Sequence, residues 1–174
     1  MLISNRFESN QKLAILGLIF VTTYLVPLLI LIVFKKFKLI KSFKAESIKE
    51  RKIPIAIMII LFYLLGNTFD HTPNLSDLGL LFYSTSIGLA AIYILFIFNF
   101  KTSIHLLSLG VSIGFFLVLS TIYTKDFTVV IIIGLILSGI LASSRLYLKA
   151  HTPKEIYLGF FLGFIAPIIT NYIL

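Results

Sequence analysis

Cysteine and tryptophan are absent from this 174-residue chain, and acidic side chains are scarce, seven against fifteen Lys and Arg. Without cysteine there are no disulfides and no thiolate metal sites. Without tryptophan, any aromatic belt at a membrane surface falls to tyrosine. Charge of either sign is also in short supply: 13% of residues are charged, 59% are hydrophobic, and mean hydropathy is +1.05. A soluble domain of this length needs polar cover for its surface, so the composition predicts an integral membrane protein instead. In that setting the net charge of +8 does not point to nucleic acid.

A helix crossing ~30 Å of hydrocarbon needs roughly 17–25 mainly apolar residues. Six stretches meet that requirement, at residues 13–34, 53–69, 78–98, 103–122, 127–143 and 156–174. The expected fold class is all-α, a polytopic bundle of about six transmembrane helices in one membrane domain over residues 1–174. The breaks carry turn residues: Asn67, Asp70, Pro73 and Asn74, then Asn99, then Lys125 and Asp126, then Pro153. The first apolar run is longer than a signal-peptide core and lacks a small-residue cleavage site, so it reads as a retained helix.

Six alternating spans put the connections near residues 35–52, 99–103 and 144–155 on one face. Twelve of the fifteen Lys and Arg belong to that face; Arg6, Lys12 and Lys125 belong to the other. The positive-inside rule makes the basic face cytoplasmic. Residues 35–52 alternate basic and apolar side chains, which suits either a helix lying on anionic lipid or an ordinary cytoplasmic loop.

The basic face also gathers three polar clusters. The first is Lys44 and Arg51, with Pro54 shortly after. The second is Lys101, Thr102, Ser103, Ile104 and His105 at the start of a span. The third runs from Ser144 and Arg145 through His151 to Glu155, a carboxylate four residues beyond the histidine.

These clusters resemble the three motifs of the type 2 phosphatidic acid phosphatase superfamily, which shares its site architecture with vanadium-dependent haloperoxidases. The family pattern is Lys, six residues, Arg-Pro; then Pro-Ser-Gly-His; then Ser-Arg, five residues, His, three residues, Asp. The third motif matches in spacing throughout, with Glu155 in place of Asp. In the first, Lys52 follows Arg51 and the proline comes at Pro54. In the second, Ser103 and His105 keep their relation while Thr102 replaces Pro and Ile104 replaces Gly. The text is more similar still to a short, basic, mostly bacterial membrane subfamily, through Arg51-Lys52-Ile53-Pro54, Lys101 to His105, and Ala150-His151-Thr152-Pro153 followed by Gly159 and Gly163. The resemblance covers Lys44 to the C-terminus and implies a lipid phosphatase of the bacterial inner membrane. Its implied substrates include phosphatidic acid, phosphatidylglycerol phosphate, undecaprenyl pyrophosphate and lipid A.

The residue types suit phosphate chemistry in their own right. Phosphoryl transfer spreads negative charge over equatorial oxygens, which fixed cations stabilise where water is scarce. Arg51 and Arg145 suit bidentate phosphate binding and Lys44 a point-charge contact. Ser103 and Ser144 offer hydroxyl donors. A neutral His151, its second nitrogen held by Glu155, can attack phosphorus to form a phosphohistidine. His105 is then the candidate acid for the leaving oxygen. The scheme needs no metal and no cofactor; its partners are a lipid phosphate substrate and the surrounding lipids.

Each residue also has a plainer explanation. Arg145 taken alone, like Lys52, Lys149 and Lys154, is a side chain snorkelling to headgroups. His105 alone is a polar residue at a span entrance, and His71, with Asp70 and Asp77 on the opposite face, belongs to a solvated loop. The pairs Gly110/Gly114 and Gly159/Gly163 have the small-residue spacing that serves either a homo-oligomer contact or close packing inside one chain. The competing function is a weak or inactive relative that binds anionic lipid or a membrane partner, because Ile104 removes the close backbone approach that glycine allows.

Overall fold

The computed structural model describes residues 8–37 and 47–174. Lys44, and most of the basic segment at 35–52, lie outside the described residues; Lys35 and Lys36 end one helix and residues 48–52 begin the next. Six helices are long and apolar enough to cross a membrane, and no strand occurs among the described residues. The protein is an all-α integral membrane protein.

The first span, Ser9–Lys36, is one rod built from α1 (Ser9–Phe20), a π-helical turn (Val21–Leu25) and α2 (Val26–Lys36). Pro27 explains the turn. It has no N–H for the carbonyl of residue 23, and its ring crowds that carbonyl, so the helix widens locally. Thr22 and Thr23 add to the disturbance by donating their hydroxyls to the carbonyls of Leu18 and Ile19, both at 2.7 Å.

The remaining spans are α3 (Ile48–Asp70), α4 (Ser76–Ile97), α5 (Ile104–Tyr123), α6 (Thr128–Tyr147) and α7 (Pro153–Ile173). Ser47 caps α3 by accepting from the Glu50 amide at 3.3 Å. α4 and α6 end in the same way. Asn99 and Lys149 adopt left-handed backbone with φ 57° and 50°. The next amide then reaches back five residues, Phe100 N to Leu95 O at 2.9 Å and Ala150 N to Arg145 O at 3.1 Å. This termination satisfies the last carbonyls and reverses the chain sharply. Asparagine tolerates that conformation; lysine at 149 bears a steric cost there. Both reversals deliver a polar loop to the same end of the bundle.

The core lies among α3, α4, α5 and α7. Ile55, Leu89, Ile92, Phe96, Leu107 and Val111 form its centre. α5 and α7 approach most closely. A Cβ at Gly110 would overlap the Phe160 carbonyl oxygen, one at Gly114 that of Phe164, one at Gly163 that of Leu107, and one at Gly159 that of Ser103. Lipid tails are as apolar as leucine, so contact between backbones, more than the hydrophobic effect, holds such helices together. The glycine spacing is therefore accounted for within one chain. Ser86 adds an interhelical bond from α4 to the Ile59 carbonyl of α3 at 2.9 Å. At the far end Tyr123 donates to Asp77 at 2.8 Å, tying α5 to α4. The rod has no buried residue, and α6 buries only Ser138.

Candidate active site

α7 starts at Pro153, whose fixed φ suits the first helical position. Thr152 precedes it as N-cap, accepting from the Glu155 amide at 3.4 Å, while the Glu155 carboxylate accepts from the Thr152 amide at 3.4 Å. That reciprocal box fixes the carboxylate in the first turn, where the helix dipole favours negative charge. The same oxygen, Oε2, stands 2.6 Å from Nδ1 of His151, whose side chain is 4% exposed. With Nδ1–H donated to the carboxylate, Nε2 carries the lone pair.

The loop after α4 is fastened to this turn. The Ser103 amide donates to the Glu155 carbonyl at 3.2 Å. Lys101 donates from Nζ to the Ala150 carbonyl at 3.1 Å. Burial lowers the pKa of His151, and the charges of Lys101 and Arg51 push the same way, against the pull of Glu155. The imidazole is consequently neutral at pH 7.

Arg51 lies in the first turn of α3 and Arg145 in the last turn of α6, both half-buried. His105, in the first turn of α5, is exposed and close enough to Arg145, His151 and Arg51 to feel their charge. Four of the expected site residues, Arg51, His105, Arg145 and His151, thus share one end of the bundle with Glu155.

The remaining expected residues stand differently. Ser103 is the residue before α5, yet its hydroxyl makes no cap. It is fully buried, and its Oγ, like Oγ1 of neighbouring Thr102, has no hydrogen-bond partner among the described residues. A buried hydroxyl in that state costs about 1–3 kcal/mol. Ser144 is exposed and donates to the Ile140 carbonyl at 2.9 Å within its own helix. α6 runs on through Ser144 and Arg145 to Tyr147, so these two belong to a helical turn and not to the connection expected for them.

Lys101 was not counted among the expected site residues, although its charge acts on His151 and its ammonium holds the His151 loop. The available signal was its place two residues before Ser103 and four before His105. His71 caps the opposite end of α3, exposed, with Nδ1 2.9 Å from the Asn67 carbonyl. No group of three His, Asp or Glu side chains placed to hold a metal occurs among the described residues.

A cavity of about 510 Å³ opens beside the site, with Arg51, His105 and Ser108 in its wall. His151 is not part of that wall. Comparison of the chain with family models, curated proteins and solved structures gives no match. Chemically, the cluster offers a neutral, oriented imidazole, a second imidazole near it, and three cations where an anion's charge would be opposed.

Proposed function

We propose that this protein is a membrane phosphatase that hydrolyses a lipid phosphate monoester or pyrophosphate through a phosphohistidine at His151. The observation that carries the reading is the 2.6 Å pair of His151 Nδ1 with Glu155 Oε2, set beside Arg51, Lys101 and His105. In the first step His151 Nε2 forms a bond to phosphorus while the bond to the leaving oxygen breaks, and His105 supplies that oxygen with a proton. In the second, water attacks phosphorus, His105 takes its proton, and the P–N bond breaks to release phosphate and restore His151. Arg51, Arg145 and Lys101 oppose the equatorial charge in both steps. Glu155 keeps the proton on Nδ1 and stabilises the imidazole as it becomes cationic.

The motif residues support membership of the type 2 phosphatidic acid phosphatase superfamily, and the Lys/Arg bias supports a site on the cytoplasmic face of a bacterial inner membrane. The second reading, an inactive protein that binds anionic lipid, is favoured by the full burial of Ser103 beside Ile104. Phosphate release from phosphatidic acid, phosphatidylglycerol phosphate and undecaprenyl pyrophosphate by purified protein separates the two. The phosphatase reading expects release by the wild type and none above background by His151→Ala. Equal release by both proteins sinks it, and binding of anionic vesicles without release favours the second reading.

A further inference from the structure

The rod Ser9–Lys36 touches the bundle along both of its halves, and α2 runs beside α3. Before the π turn, Ile15 and Ile19 pack on the cluster of Leu65, Phe69, Leu75, Leu78 and Phe82. At the turn and beyond Pro27 the rod becomes one wall of the 510 Å³ cavity, which α3, α4 and α5 complete. Most of the remaining wall is apolar: Ile30 and Leu31 from the rod, Met58 and Phe62 from α3, Leu89 from α4. Thr23 and Thr85 also line it, but their hydroxyls are already donated to the carbonyls of Ile19 and Leu81, at 2.7 and 2.8 Å. Arg51 and His105 stand at one end. From Arg51 to Phe62 the cavity follows α3 for about 16 Å at the ~1.5 Å rise of a helix.

We propose that this cavity holds one hydrocarbon chain of a membrane lipid phosphate, with the phosphate at Arg51 and His105. The assignment of the phosphate end rests on the phosphatase reading. The occupant follows from the walls. With the Thr23 and Thr85 hydrogens already donated, a polar ligand finds no free donor along the apolar length, whereas a lipid chain needs none. An anionic headgroup meets cations only at the end where the polar residues stand. A chain entering from the bilayer leaves hydrocarbon for hydrocarbon, so the cavity contributes position more than affinity, fixing the phosphorus against the site. The rod is the wall that separates the chain from bulk lipid, and Thr23 in the π turn and Pro27 just after it are part of that wall.

Two measurements on the full chain in lipid vesicles test the proposal. In the first, phosphatidic acid and phosphatidylcholine carrying a photoreactive group midway along one acyl chain are cross-linked, and labelled residues are mapped by mass spectrometry. The phosphatidic acid probe is expected to label Phe62 and Leu89 at least about fivefold more than the phosphatidylcholine probe, with equal labelling of Ile132 and Ile136, exposed on α6. Ile30→Trp and, separately, Met58→Trp fill the cavity from opposite walls and should each suppress the Phe62 and Leu89 label. In the second, Ile30→Trp should lower kcat/KM for long-chain phosphatidic acid about tenfold, while hydrolysis of a short, water-soluble aryl phosphate stays within about twofold. No label at Phe62 and Leu89, equal label from both headgroups, or label unchanged in both folded Trp variants overturns the proposal. Loss of phosphate release from every lipid in the wild type overturns the phosphatase reading instead, and the cross-linking still decides what the cavity holds.

Discussion

The amide of Ser103 donates to the carbonyl of Glu155 across 3.2 Å, joining the loop before α5 to the first turn of α7. Through this bond and the Lys101 contact to Ala150, two polar clusters nearly fifty residues apart become one unit. Beneath them Gly159 gives passage to the Ser103 backbone, so the glycine contacts of α5 and α7 also set the position of the site.

That dependence makes the α5–α7 contact a determinant of both stability and activity. Gly110→Ala forces a Cβ against the Phe160 carbonyl, which is backbone and cannot rotate away. A loss of about 1–3 kcal/mol in unfolding free energy is expected, as for other overpacked sites, with a fall in phosphate release. Gly139→Ala in α6, where nothing lies within 4 Å of the added carbon, is the control and should leave both unchanged or slightly raise stability. Thermal unfolding in detergent, followed by helical circular dichroism, reads the difference.

Glu155 serves both the helix cap and His151, and two substitutions separate these duties. Glu155→Gln keeps an acceptor for the Thr152 amide but withdraws the negative charge from Nδ1 of His151. Its kcat should fall about 10²-fold or more, with stability almost unchanged. Glu155→Ala also removes the acceptor for the Thr152 amide and the negative charge in the first turn, while the Thr152 hydroxyl still caps the helix, and should lose about 0.3–1 kcal/mol of stability in addition. Equal activity of Glu155→Gln and wild type would show that the His151–Glu155 pair is structural only.

The two histidines are expected to respond differently to the leaving group. His151→Ala should abolish hydrolysis of every substrate, since it removes the nucleophile. His105→Ala should lose less on an aryl phosphate, whose acidic leaving group needs little protonation, than on an alkyl lipid phosphate. Equal losses of His105→Ala on both substrates refute its role as the acid. A His151→Ala protein retaining most of its activity refutes the nucleophile.

The six spans were legible because hydrocarbon imposes a length and polarity requirement that the sequence meets in six places. Their ends were less so. Arg145 read as loop, yet the helix continues to Tyr147, because a long cationic side chain can snorkel from the last turn and the true stop is the left-handed backbone at Lys149. Lys101 reads in the sequence as the head of the second polar cluster, with no role of its own, and the hydrogen bond to Ala150 places it beside His151. The cavity had no sequence signature, since it depends on how the rod packs beside α3, α4 and α5. The face shared by Arg51, His105, Arg145 and His151 was legible from simple alternation of spans.

The absence of cysteine makes sidedness directly measurable. Lys36→Cys at the end of α2 and Lys125→Cys in the turn before α6 each introduce one thiol, both at exposed positions on opposite faces. With the Lys/Arg-rich face in the cytoplasm, a membrane-impermeant thiol reagent added to intact cells should label Lys125→Cys alone, and Lys36→Cys only after lysis. The reverse pattern inverts the orientation and places the site on the outer face.

The depressed pKa of His151 has a kinetic sign. A neutral imidazole is the nucleophile, so activity is lost only as pH falls through the pKa of the folded protein. Burial, Lys101 and Arg51 hold that pKa below the ordinary histidine value of ~6.5. The acidic limb of kcat/KM against pH should accordingly lie below ~6.5. Lys101→Met removes one of the charges that disfavour the imidazolium, so its acidic limb should move to higher pH, towards the ordinary value. It also removes the contact to Ala150, which lowers the plateau but does not by itself move the limb. Measuring both proteins on an aryl phosphate, whose hydrolysis depends least on His105, isolates the His151 titration. A limb above ~6.5 in the wild type, or one that stays in place in Lys101→Met, contradicts the electrostatic control of His151 by its cationic neighbours.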